Sequence, residues 1–257
     1  METGSTLVKT ALRPLGRAAG LLLDTLYPPQ CLSCDAPVAS PDALCGACFR
    51  QLRPITAPLC PVLGLPFEVS LGPEALSAEA IADPPPFDRA RSAVIYNDIA
   101  RALVGKLKYG DRPELARFCA RLMLRAGNEL WGKDAVLVPV PLHPTRQFAR
   151  RYNQSMELAR ALGRLTGLPT DSSLVLRKKR TRQQVGLSGE ARRRNVAGAF
   201  APHPEALARL HGRRAIIVDD VITTGATVKA VTRALVAGGA LGVDVVSFAR
   251  VVPGSDG

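Results

Sequence analysis

Aromatic residues are scarce in this chain, at 5% of 257 residues with a single tryptophan. Stacking platforms for successive bases are therefore few, which weighs against a protein that grips single strands mainly through its rings. Long apolar runs are also missing. No stretch reaches the ~20 consecutive apolar residues of a membrane-spanning helix. The segment TLVKTALRPLGRAAGLLLDTLY (6–27) has an apolar run after Arg17, but the run is short and Asp24 interrupts it. It lacks a convincing small-residue cleavage site, so it does not read as a signal peptide. Lys9, Arg13 and Arg17 recur every four residues and share one face of a helix. That amphipathic helix packs on its own protein or, as the lesser reading, touches a membrane surface. Acidic residues are short in number: 22 against 34 Lys and Arg, a net charge of +12. Such an excess favours phosphates, nucleic acid or acidic lipid as partners without choosing among them. No internal repeat is visible.

What is present is globular in character, with 47% hydrophobic and 22% charged residues. The length allows one large domain, or a main domain with an accessory. Five of the six cysteines fall between residues 31 and 60. Four of them read CLSC–x10–CGAC: Cys31, Cys34, Cys45 and Cys48. A disulfide framework is the alternative to metal, but the chain is too long and the cysteines too clustered for a stapled mini-domain. Two Cys-x-x-Cys knuckles at this separation suit a closed, structural Zn2+ site. A reduced, metal-binding chain is expected in the cytosol. Cys119 falls on the apolar face of a helical pattern and is expected in the core.

From about Arg89 the pattern becomes regular. RSAVIY (91–96), AVLVPVPL (135–142), RRAIIVDDV (213–221) and VDVVSFARVV (243–252) read as strands. ELARFCARLMLRAGNELW (114–131), NQSMELARALGRLTG (153–167) and TVKAVTRALVAGG (227–239) read as helices, the second closing on Gly167. Strands that alternate with helices and are apolar throughout indicate an α/β fold with a mainly parallel sheet. Residues 61–88 are rich in Pro and Gly and read as an ordered arm. The segment 174–200 is polar and reads largely as loop; between Arg177 and Arg194 it holds eight Lys or Arg against one acid, Glu190.

The stretch VDDVITTGATV (218–228) carries the chemistry. Ligands of open α/β sheets bind beyond the carboxyl ends of the strands, where Asp219 and Asp220 stand. The turn that follows opens a helix, whose N-terminal amides favour an anion. Thr223, Thr224 and Thr227 offer hydroxyls, while Gly225 and Ala226 leave the backbone open to close approach. The turn suits a phosphate monoester. The two carboxylates would repel that phosphate unless they held ribose hydroxyls or Mg2+. In VPVPLHPTRQFARRYNQS (138–155), Arg146, Arg150 and Arg151 offer planar donors for phosphate oxygens, or form a solvated basic loop. His143 reads as structural.

IIVDDVITTGATV (216–228) resembles the signature of the type I phosphoribosyltransferases. The resemblance implies that the acid pair holds the ribose diol of 5-phosphoribosyl-1-pyrophosphate (PRPP), and that Thr223 to Thr227 hold its 5′-phosphate. It also implies that the arginine loop serves pyrophosphate and that a mobile loop, 177–200 here, closes over the site. More of the chain resembles the ComF subfamily: the cysteine pairs, LKYGDRPELA (107–116), PVPLH (139–143), RRYNQ (150–154) and QVGLSGEARRRNV (184–196). Thr181, Gln184, Arg194 and Asn195 belong to that last pattern.

This resemblance implies a type I phosphoribosyltransferase fold preceded by a small N-terminal zinc ribbon. The expected division is an N-terminal helix (1–28), ribbon and arm (29–88), and a phosphoribosyltransferase-like domain (89–257). The implied function is binding of PRPP with Mg2+, with phosphoribosyl transfer to an unknown acceptor, in a protein of DNA uptake or use. The alternative is a non-catalytic single-stranded DNA-binding competence factor with a vestigial PRPP site. The implied partners are PRPP, single-stranded DNA, and competence or recombination proteins. The implied place is the cytoplasm or the inner face of the membrane. The family often has a further Cys-x-x-Cys-Gly; here CPVLG (60–64) has Leu63 at its second cysteine, which argues against a second zinc.

Overall fold

The computed structural model describes residues 28–109, 113–142, 153–178, 194, 197–210 and 212–254. They fall into two compact units, one ending at Phe49 and one beginning at Arg50. In the first, an antiparallel bridge joins Gln30 to Pro37, and helix α1 (Gly46–Gln51) starts directly after Cys45.

The second unit begins with an irregular segment containing the short helix α2 (Ala78–Ala82), capped by Ser77. The α/β body follows as β1 (Arg89–Ile95), α3 (Asp98–Tyr109), α4 (Pro113–Ala126), β2 (Ala135–Pro139) and α5 (Gln154–Thr166). Next come β3 (Val175–Arg177), β4 (Phe200–Pro202), the short helix α6 (Ala206–Leu210), β5 (Arg214–Ile222), α7 (Ala226–Ala237) and β6 (Gly242–Arg250). The main sheet runs β1-β6-β5-β2, and every pairing in it is parallel, as the apolar strands required. The polar segment 174–200 is described mainly at its two ends. Its two ends, β3 and β4, pair as a small antiparallel ribbon. Such three-residue strands are too short to show a period of two in sequence.

Local chemistry explains the helices that flank the sheet. Asn153 caps α5, its Oδ1 accepting from the amides of Ser155 and Met156 at 3.1 and 3.4 Å. Gly167 ends the helix in the left-handed region at φ 75°, as its sequence position implied. Helix α4 buries Leu115, Ala116, Cys119, Ala120 and Met123, a stripe at helical spacing, so Cys119 is a core residue. Burial then drives its thiol pKa well above the ordinary range, with the nearby Asp220 adding to the shift.

Helices α4 and α5 pack on one face of the sheet and α7 on the other. On the α7 side a single apolar cluster joins Val136, Ala215, Ile217 and Val245 to Val231 and Leu235. Cys60, Leu63, Leu65, Ala80 and Phe87 belong to the same cluster, so the arm after Arg50 is part of the α/β core. At the opposite end of the strands from the acid pair, Asp244 is almost completely buried and receives Arg89 at 2.9 Å and Arg214 at 3.2 Å, while Arg214 also bridges Asp88. This cluster ties the starts of β1, β5 and β6 together.

Candidate functional site

Strand β5 carries Asp219 and Asp220 side by side at its carboxyl end, each 8% exposed. Adjacent strand residues point to opposite faces, so a turn is expected wherever both reach one ligand. Both are nonetheless reached from the start of α5. The Oδ1 of Asp219 accepts from Ser155 Oγ at 3.1 Å and from the amide of Asp220 at 2.9 Å. Asp220 accepts through Oδ2 from Gln154 Nε2 at 3.3 Å and through Oδ1 from the Val221 amide at 2.8 Å. Both carboxylates thus meet the N-terminus of α5, whose dipole favours negative charge there. Burial, and then the charge of Asp220, hold the carboxyl of Asp219 well above the ordinary carboxylate range.

Gln154 and Ser155 were not identified as site residues from sequence, although Gln154 closes the quoted RRYNQ motif. Among the described residues, the buried Oε1 of Gln154 has no hydrogen-bond partner. A buried acceptor in that state is costly unless something else engages it. Two carboxylates and a free amide oxygen form the hard-oxygen donor set that suits Mg2+.

The turn 223–225 leads from β5 into α7. Gly225 takes φ 73°, a left-handed conformation natural to glycine, and offers no capping side chain. The Oγ1 of Thr224 accepts from the Ala226 amide at 3.4 Å, a long bond for a cap. Thr224 is exposed, Thr223 and Thr227 are half-buried, and Ala226 begins the helix buried. First-turn amides have no intrahelical acceptor, so the helix presents donors where the threonine hydroxyls gather.

A cavity of about 460 Å³ opens beside this turn. Its walls include Leu63, Leu65 and Phe87 from the arm, Ile222 to Gly225 from the turn, and Arg250 and Val251 at the end of β6. Arg250 is 7% exposed; its Nη1 donates to the Leu63 carbonyl at 2.8 Å, while its buried Nε has no partner among the described residues. Burial lowers its pKa to about 10, against the opposing charges of Cys60 and Glu79. No sequence motif marked Arg250, because its role depends on where β6 ends.

In the first unit the ligand atoms of Cys31, Cys34, Cys45 and Cys48 all lie within 4.8 Å of one another. Burial opposes ionisation of Cys31, but the amides of Cys34, Cys45 and Ser33 outweigh it and bring its pKa to about 6. Burial, with the neighbouring thiols, pushes Cys48 up to about 12. Four sulfurs this close, one already favoured as thiolate, match the soft donor set of a tetrahedral metal site.

Arg146, Arg150, Arg151 and His143 lie outside the described residues, as do the N-terminal helix and residues 179–193, including Thr181 and Gln184. Asn195 lies outside them too, and Arg194 is exposed. No helix among the described residues is long and apolar enough to cross a membrane.

Comparison with known proteins finds two domain types in the chain. A double zinc ribbon domain matches residues 22–81, and a phosphoribosyl transferase domain matches 107–252. Fold and site thus define a phosphoribosyltransferase-domain protein with a zinc-ribbon segment ahead of the sheet. "DNA utilization protein YhgH" of Salmonella typhimurium is 34% identical over 232 residues, covering 88% of this chain and 98% of that protein. "Competence protein F" of Haemophilus influenzae is 28% identical, covering 80% and 90% respectively. "Competence protein ComFC" of Bacillus subtilis is 26% identical, covering 76% and 78%. The chain belongs to the ComF family. A hypoxanthine phosphoribosyltransferase from Staphylococcus aureus aligns with TM-score 0.32 and 16% identity, over 54% of this chain and 73% of that one, and adds nothing to the assignment.

Proposed function

We propose that the chain binds PRPP with Mg2+ at the end of β5 and transfers its phosphoribosyl group to an acceptor in the adjoining cavity. The observation that carries this is the buried acid pair beside the unpaired Gln154 Oε1, immediately before a glycine-opened helix N-terminus. Asp219 and Asp220 hold the ribose diol, directly or through the metal. Thr223, Thr224, Gly225, Ala226 and Thr227 hold the 5′-phosphate. Arg146, Arg150 and Arg151 serve the pyrophosphate. Bound Mg2+ would supply positive charge to the diol and pyrophosphate oxygens.

In the transfer, the bond from C1 of the ribose to the pyrophosphate oxygen breaks and pyrophosphate leaves with the electron pair. A bond forms from the acceptor atom to C1, and the acceptor loses its proton. Charge on C1 is oxocarbenium-like at the transition state, so the chain's task is to hold the sugar, receive the leaving group and exclude water. The acceptor's cavity has apolar walls from Leu63, Leu65, Phe87 and Ile222, and charged ones from Glu79, Asp83, Lys229 and Arg250. This suits an acceptor with an apolar body and a polar edge that both donates and accepts hydrogen bonds. Calorimetric titration of PRPP with Mg2+ tests the reading: one site is expected, weakened in Asp219→Asn and Asp220→Asn. A parent protein that binds no PRPP would overturn it.

A second activity is supported by the net charge of +12 and the basic segment 177–194. That segment contacts single-stranded DNA through phosphates, an electrostatic mode that needs no aromatic platform. Cys31, Cys34, Cys45 and Cys48 bind structural Zn2+, which holds the first unit together.

A further inference from the structure

The arm after Arg50 repeats the cysteine knuckle, with one offset in its first half and a slightly longer one in its second. In the first copy Gln30 bridges Pro37, and Cys31 N donates to Ala36 O at 2.7 Å. Asp35 N donates to Cys31 O at 3.2 Å, and Val38 N to Pro29 O at 2.8 Å. In the second copy Leu59 bridges Pro66, and Cys60 N donates to Leu65 O at 2.8 Å. Gly64 N donates to Cys60 O at 2.8 Å, and Phe67 N to Pro58 O at 2.9 Å. Asp35 and Gly64 both adopt the left-handed conformation, at φ 62° and 64°. For Gly64 this comes with close packing, since an added Cβ would lie 2.2 Å from the Ala90 carbonyl oxygen.

The second half of each knuckle corresponds too. The Cys45 amide donates to Cys31 Sγ at 3.2 Å, and α1 follows with Cys48 buried inside it. The Ser77 amide donates to Cys60 Sγ at 3.4 Å, and α2 follows with Ala80 buried inside it. The positions of Cys31, Cys34, Cys45 and Cys48 therefore correspond to Cys60, Leu63, Ser77 and Ala80.

We infer that this second ribbon holds no zinc and has exchanged its metal for apolar packing. Leu63 and Ala80 have no donor atom. Ser77 Oγ already accepts from the Ala80 amide at 3.3 Å, as the cap of α2. Cys60 is the one remaining thiol, and a single sulfur cannot close a tetrahedral zinc site. All four side chains are buried, and Cys60, Leu63 and Ala80 sit in the apolar cluster that contains Phe87 and the sheet. A zinc ribbon without such packing depends on its metal to fold. Here the body of the domain does that work, so the arm's wall of the cavity beside the phosphate turn does not depend on zinc supply. The family's double ribbon is thus reduced in this chain to one metal site.

Metal analysis of the purified, reduced protein tests this. The parent is expected to carry about one zinc per chain, with Cys60→Ser carrying the same amount, whereas Cys31→Ser loses it. The variant Leu63→Cys/Ser77→Cys/Ala80→Cys, which rebuilds the ligand set around Cys60, is expected to take up a second zinc. Hydrogen exchange after chelation is expected to accelerate in residues 28–49 and to remain unchanged in 58–82. Two zincs in the parent, or loss of zinc on Cys60→Ser, would overturn the inference. So would exposure of 58–67 on chelation, a readout that holds even when the triple variant fails to fold. A folded triple variant that stays at one zinc would overturn the correspondence of the two knuckles.

Discussion

Replacing Asp219 by Asn should weaken ligand binding and strengthen the ligand-free fold at once. The asparagine keeps the size of the side chain, and its Oδ1 can still accept from Ser155 Oγ and the Asp220 amide, at 3.1 and 2.9 Å in the parent. What it removes is a carboxyl that is 8% exposed beside a second carboxylate. Burial and the Asp220 charge raise the folded-state pKa of Asp219. Below the ordinary carboxylate range both folded and unfolded chains are protonated there, and the group contributes nothing. As pH rises through that range the unfolded chain releases its proton while the folded chain keeps it. Stability then falls with pH until the folded-state pKa is passed, and the deficit persists above it. Asn has no such titration. The substitution should therefore add about 0.5–2 kcal/mol at pH 7 without ligand, the scale of a single stabilising substitution. The gain should vanish near pH 3. In the same protein, PRPP–Mg2+ affinity should fall by about 1.5–3 kcal/mol, the worth of a hydrogen bond to a charged group, which is roughly tenfold or more. Urea denaturation at pH 3, 5 and 7 gives the first quantity and calorimetry the second. A variant less stable than the parent at pH 7, or one that binds PRPP as tightly, would refute the reasoning.

Removing zinc should unfold the first unit while the α/β body persists, since structural zinc in peptides contributes about 10–16 kcal/mol; circular dichroism that loses the whole fold on chelation would contradict this. Asp244→Ala should destabilise the protein by about 2–3 kcal/mol, because it leaves Arg89 and Arg214 without their buried partner; the loss is held below that of a fully buried pair by the partial exposure of both arginines. A change below 0.5 kcal/mol in chemical denaturation would show the cluster to be idle. DNA affinity should fall steeply between two salt concentrations and weaken on neutralising Arg192, Arg193 and Arg194. Salt-independent binding in a filter or anisotropy assay would remove the electrostatic reading.

The signals legible in sequence were local ones. Two Cys-x-x-Cys pairs sit near each other along the chain, so their spacing alone marks a tetrahedral thiolate set. The strand, acid pair, threonine turn and helix of VDDVITTGATV are contiguous, so backbone geometry brings their donors together without help from elsewhere. Apolar runs alternating with amphipathic helices implied the parallel sheet, and the structure has it. Tertiary structure decided what depends on distant segments. Gln154 and Ser155 reach the acid pair from about 65 positions away only because β2 and β5 pair in parallel and set the N-terminus of α5 over their carboxyl ends. Arg250 enters the cavity because β6 ends there and its guanidinium bonds the backbone of the arm. Of the second knuckle only CPVLG (60–64) was legible in the sequence, since three of its four ligand positions are Leu63, Ser77 and Ala80. Main-chain hydrogen bonds carry its shape, and they need no particular side chain; burial against the sheet replaced the metal that had made the side chains matter.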